Sequence, residues 1–168
     1  MRALVVYESA FGNTHRIAEA IAAGLREQGE VTVTSVENAP RRVSADIDLV
    51  VAGGPTHAFS MSRRSTREVA QQRGAPHADP RMGIRDWIAD QRDRDRHATF
   101  AAFDTRVPTR FTLGTAAASA ARAARRRGFP TARPHGFRVE GYEGPLLPGE
   151  LDDATEWGRR LASEYGDT

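Results

Sequence analysis

Short β-rich apolar runs alternate with helical spacings along almost the whole chain, and few architectures accept that order. Arg2–Tyr7 reads as a buried strand that ends in a polar turn. From Thr14 onward, Ile17, Ile21 and Leu25 fall at i, i+4 and i+8, and Gly29 closes the helix they define. Val31–Val36 alternates like a strand with one wetter face, and Asp48–Gly53 is a second buried run. Ile84, Trp87, Ile88 and Gln91 predict a helix laid on the sheet, followed by a strand over His97–Phe103. Thr115–Arg127 is alanine-rich, ends in arginines and meets Gly128, which is a complete helix signature. Pro134 confines the next strand, Pro130–Val139, to an edge or a bulge. Pro148 opens a last helix with Leu151, Ala154, Leu161 and Tyr165 on one side. Residues 58–81 show only a short polar helix over Arg64–Arg73 before Gly74, Pro76 and Pro80 break the chain. The order β-α-β-β-α-β-α-β-α predicts one α/β domain over residues 1–168. Its sheet should be doubly wound, parallel and five-stranded, in the order 2-1-3-4-5, with helices on both faces.

Composition narrows the chemistry. There is no cysteine, which excludes disulfides and thiolate sites, and no lysine, which excludes a Schiff base or a phosphate-binding lysine of the Walker type. The five histidines are scattered without ligand spacing, so no metal is expected. No run approaches the roughly 20 apolar residues of a membrane span, and no leader is evident, so the expectation is a cytoplasmic protein without a membrane partner. Between Thr105 and Val139 every charged residue is an arginine: Arg106, Arg110, Arg122, Arg125, Arg126, Arg127, Arg133 and Arg138. Such a stretch is either a solvated face or a surface for an anionic partner. No nucleic-acid reading motif accompanies it, so a nucleic-acid partner is not expected.

In sheets of this kind a ligand sits beyond the carboxyl ends of the strands, where the strand order reverses. Three loops meet there. The first, Ser9-Ala10-Phe11-Gly12-Asn13-Thr14, leads into a helix N-terminus whose free N–H groups and positive dipole end attract an anion. It also reads as an ordinary turn capped by Asn13 or Thr14. The second is Gly53-Gly54-Pro55-Thr56-His57-Ala58-Phe59. The third is Asp104-Thr105-Arg106-Val107-Pro108, which follows the fourth strand.

Tyr7–Thr14 resembles the phosphate loop of the flavodoxin family, Ser/Thr-x-Thr-Gly-x-Thr, with Ser9, Gly12 and Thr14 matching and Phe11 replacing the central threonine. The second loop resembles the Gly-x-Pro-Thr loop of flavodoxin-like quinone reductases. The tail Gly144–Leu151 followed by Trp157-Gly158 resembles the ending of actinobacterial flavodoxin-domain proteins. The resemblance implies a flavodoxin-like fold that holds flavin mononucleotide (FMN). Ser9–Thr14 would take the phosphate. Pro55, Thr56, His57, Ala58 and Phe59 would lie along the ring, with Phe59 stacking on it and His57 near a substrate. Asp104, Thr105 and Arg106 would meet the ring's polar edge. Phe59 reads equally as a rim aromatic, Arg106 as a solvated arginine and His57 as a loop histidine. Three functions follow: an electron carrier with a redox partner protein, an FMN-dependent NAD(P)H:quinone-type oxidoreductase, or a binding module that has lost FMN. The sequence identifies no catalytic residue and sets no oligomeric state.

Overall fold

The computed structural model describes residues 1–91, 97–110 and 113–166. In β1 (Arg2–Tyr7), Leu4 and Val6 enter one core while Ala3 and Val5 enter another. A strand apolar on both sides must be covered twice, and the helices do this. The parallel partners are β2 (Glu30–Ser35), β3 (Leu49–His57), β5 (Thr99–Arg106) and β6 (His135–Arg138). Their order is β2-β1-β3-β5-β6, and a short β4 (Ser60–Met61) pairs antiparallel with the end of β3. Counting the parallel strands alone, this is the expected 2-1-3-4-5. β6 is an edge strand, as Pro134 requires.

One face is covered by α1 (Asn13–Arg26) and α5 (Glu150–Tyr165), over Val5, Val51, Phe103 and Phe137. Phe103, Phe137 and Trp157 meet edge to face with centroids 6.1–6.4 Å apart. Each such aromatic pair contributes about 0.5–1.5 kcal/mol beyond its buried area. α1 and α5 approach closely because Gly24 and Gly158 face each other's helix; a Cβ on either would run into backbone carbonyls, of Thr155 and Ile21 respectively. Met1 and Tyr165 both lean on this core, at the pole where β1 begins and α5 ends.

The other face is covered by α3 (Ile84–Asp90) and α4 (Ala116–Arg126). The buried side of α4 is all alanine, so the helix lies close to Val50, Ala52 and Phe100. The 58–81 connection contains α2 (Arg64–Gln72), close to the polar helix expected there. It differs from expectation at its start, where β3 runs on through Pro55 to His57 and turns back into β4. Pro55 is tolerated because β1 has already ended at the level of Gly53, which leaves β3 unpaired on that side. Ala58 and Phe59 make the tight turn at φ 44° and 64°, the left-handed values of a two-residue hairpin. Among the described residues, no helix is long and apolar enough to cross a membrane.

Candidate functional site

The carboxyl ends of β1, β3 and β5 enclose an open cleft with room for about 70 Å³ of water-sized occupancy. Ten of the fourteen residues expected to contact the cofactor line it: Ser9, Ala10, Phe11, Asn13, Thr14, Pro55, Thr56, His57, Thr105 and Arg106. Four do not. Gly12 is the N-cap of α1 at φ 92°, Ala58 and Phe59 form the hairpin tip, and Asp104 is fully buried beneath the floor.

The first loop is rich in donors. Gly12 caps α1 without a side-chain bond, and the first turn carries no acid, so the positive end of the helix is not neutralised. Ser9 Oγ accepts from Gly12 N at 3.1 Å, a bond that does not use its own proton. Thr14 is 2% exposed and its Oγ1 lies 2.8 Å from Thr105 Oγ1. One proton serves that contact, which leaves the other hydroxyl proton of the pair for a further acceptor. Asn13 is used differently: its Nδ2 donates to Glu143 O at 2.9 Å, tying α1 to the loop after β6.

Alternation along β5 sorts the third loop. Thr105 shares the α1 side with Phe103, whereas Asp104 and Arg106 turn to the α4 side. Asp104 accepts from Ala117 N at 2.9 Å and from Arg106 Nη1 at 2.9 Å. Burial pushes its carboxyl above the ordinary range. Arg106 therefore lines the cleft with its guanidinium paired to Asp104, and Asp104 supports the start of α4 rather than facing a ligand. Thr56 also serves α4, accepting from Ala116 N at 2.9 Å.

A second buried carboxylate lies just behind. Glu8 accepts from Ile84 N at 2.9 Å and from the Ser62 hydroxyl, and burial raises its pKa. Arg67 donates to Ser62 and, at 2.8 Å, to Asp86. This network anchors the 58–90 excursion to β1. Above it, burial holds the His57 pKa below its ordinary value, with the Arg67 charge adding to the effect, so His57 is neutral at pH 7.

Val107, Val139, Gly141 and Tyr142 also line the cleft. The last three lie outside the three loops that the sequence points to. β6 is parallel to its neighbours, so the loop after it opens at the same end; an aromatic between Gly141 and Gly144 was the available signal. The wall is thus donor-rich at the start of α1 and apolar at Phe11, Pro55, Val107, Val139 and Tyr142. A phosphate monoester joined to a flat conjugated ring fits such a division. Among the described residues, no three His, Cys, Asp or Glu side chains gather as metal ligands would.

Residues 4–77 match the profile of a family described as Flavodoxin domain. Among solved structures, the chain is similar to a flavodoxin from the domain Archaea, with 20% identity, 98% of each chain covered and a TM-score of 0.66. It is also similar to oxidised Flavodoxin 1 from Bacillus cereus, with 14% identity, 97% of this chain and 98% of that one covered, and a TM-score of 0.68. A flavodiiron core from Synechocystis matches at 18% identity and a TM-score of 0.61, covering 98% of this chain and 36% of that one. A search of curated proteins finds no match.

Proposed function

We propose, from the match of residues 4–77 to the Flavodoxin domain profile, that the chain holds FMN and carries electrons between protein partners. The observation that carries the proposal is the Thr14–Thr105 hydroxyl pair at the start of α1, where the N-cap Gly12 offers no side-chain acceptor. Buried donors with a proton to spare call for an acceptor. The first turn of α1, Ser9 and the Thr14–Thr105 pair would hold the phosphate. Phe11, Pro55, His57 and Val107 would border the ring. Bound there, FMN would supply reversible uptake of one or two electrons. The chain's residues orient it and keep water from its inner edge.

The carrier reading rests on what surrounds the mouth. Among the described residues the large exposed hydrophobics are Phe59, Val69, Val107, Leu113 and Tyr142. All but Val69 lie on loops at the cleft end. Exposed apolar residues gathered at one pole suit a protein that docks there. Titration of the apoprotein with FMN, followed by flavin fluorescence, tests the first half of the proposal. Absence of binding at high micromolar FMN overturns it. Stopped-flow mixing of the holoprotein with NADPH tests the second half. Slow or absent reduction is expected, and complete reduction within seconds with steady turnover on a quinone would make this an oxidoreductase instead.

A further inference from the structure

Three rings from three separate loops meet over the cleft. Tyr142, on the loop after β6, presents its ring to the edge of Phe11 at a centroid distance of 5.7 Å and to His57 at 5.8 Å. The Arg73 guanidinium, from the end of α2, lies 4.8 Å from the centroid of Tyr142. The loop that carries Tyr142 is fastened beside it. Asn13 Nδ2 holds Glu143 O at 2.9 Å, and a Cβ on Gly144 would collide with the Asn13 amide. On the opposite flank, His77 N donates to Ala10 O at 3.2 Å and ties the segment after α2 to the first loop. The Tyr142 ring thus meets Phe11, His57 and Arg73, and the loops that carry the first and the last of these are tied together through Ala10 and His77.

The resemblance gave the stacking role to Phe59. That residue stands at the hairpin tip, 47% exposed, with its carbonyl against Gly114, and it is not among the residues that line the cleft. Tyr142 does line it, with 43% of its surface still open. We propose that Tyr142 is the aromatic side chain that closes over the flavin ring, seated on Phe11 and steadied by Arg73. The proposal rests on the FMN reading above. It also gives Phe11 a task. In place of the hydroxyl that the family's loop carries at this position, the chain has a flat edge on which Tyr142 rests. Aromatic edge contacts and a cation over the outer face both favour one ring position without a covalent tie.

The test uses apoprotein, two probes and four variants. Dissociation constants for FMN and for riboflavin, which lacks the phosphate, are read from quenching of flavin fluorescence, with circular dichroism confirming that each variant folds. Tyr142→Ala should weaken both probes by a similar factor of about tenfold, the worth of one aromatic contact near its upper range. Tyr142→Phe should stay within about twofold of the wild type, Arg73→Ala should weaken both probes by about two- to fivefold, and Phe59→Ala should change neither. Tyr142→Ala indistinguishable from the wild type while Phe59→Ala loses affinity would return the role to Phe59. Equal losses in Tyr142→Phe and Tyr142→Ala would assign the effect to the hydroxyl and overturn ring stacking. A wild-type apoprotein that binds neither probe overturns the FMN reading and this assignment with it. A wild type that binds both, beside an unaffected Tyr142→Ala, overturns this assignment alone.

Discussion

Asp104 and Thr105 are neighbours in β5 and serve opposite faces of it. The strand's period of two sends Thr105 to the Thr14 hydroxyl and Asp104 to the start of α4. Removing the Thr14 hydroxyl by Thr14→Ala should weaken FMN binding by about 1.5–3 kcal/mol, the range for a hydrogen bond to a charged group. Riboflavin binding should change little, and titration of the two ligands side by side checks this. Asp104 makes a prediction in pH. Its folded pKa is raised above the ordinary 3.8 by burial, so the folded state carries a penalty that is full above the raised value. The penalty fades as pH falls through that value towards 3.8. Asp104→Asn does not titrate, so in urea melts the stability difference should be flat at neutral pH. On acidification through that window it should move in favour of the wild type.

At the scale of elements, α1 and α5 pack through Gly24 and Gly158. Alanine is the better helix former by about 1 kcal/mol. Even so, Gly158→Ala should destabilise by about 1–3 kcal/mol net, because its Cβ points at the Ile21 carbonyl and the helices must part. Chemical denaturation reads the difference, and Gly149→Ala is a poor control because Gly149 has a φ of 86°. The elements themselves were largely legible. Ile17, Ile21 and Leu25 announced α1, the alanines of residues 116–124 announced α4, and Pro134 placed β6 at the edge. The β3–β4 hairpin was not legible. Gly53-Gly54-Pro55 imitates a turn, and Ala58-Phe59 is an unusual pair for positions that normally take Asn-Gly. Of the cleft, the donor loop and the Pro55–His57 segment could be read from sequence, because both directly follow strong strand patterns. The contributions of Asp104 and Thr56 to α4, and of Tyr142 to the cleft, arise from tertiary contacts that no local pattern encodes.

For the molecule as a whole, the arginines divide between two poles. Arg125, Arg126 and Arg127 close α4 at the end far from the cleft, whereas Arg73 and Arg110 are exposed on cleft-end segments. Charge near a docking face speeds encounter and is screened by salt. Reduction of the holoprotein by a protein reductase should therefore change rate with Arg110→Glu and not with Arg126→Glu, and added salt should narrow the gap. Stopped-flow traces at two ionic strengths decide it. The placement of Met1 and Tyr165 has a practical counterpart. Both lean on the core at the pole opposite the cleft, and β1 alone spans about 20 Å between the poles. A tether attached at either residue would leave the cleft facing solution. On an electrode, the same tether would hold the flavin at the far side of the molecule from the metal. Wiring this protein directly to a conducting surface calls for an anchor on the cleft-end loops, and coupling it to a soluble donor calls for one at Met1 or Tyr165.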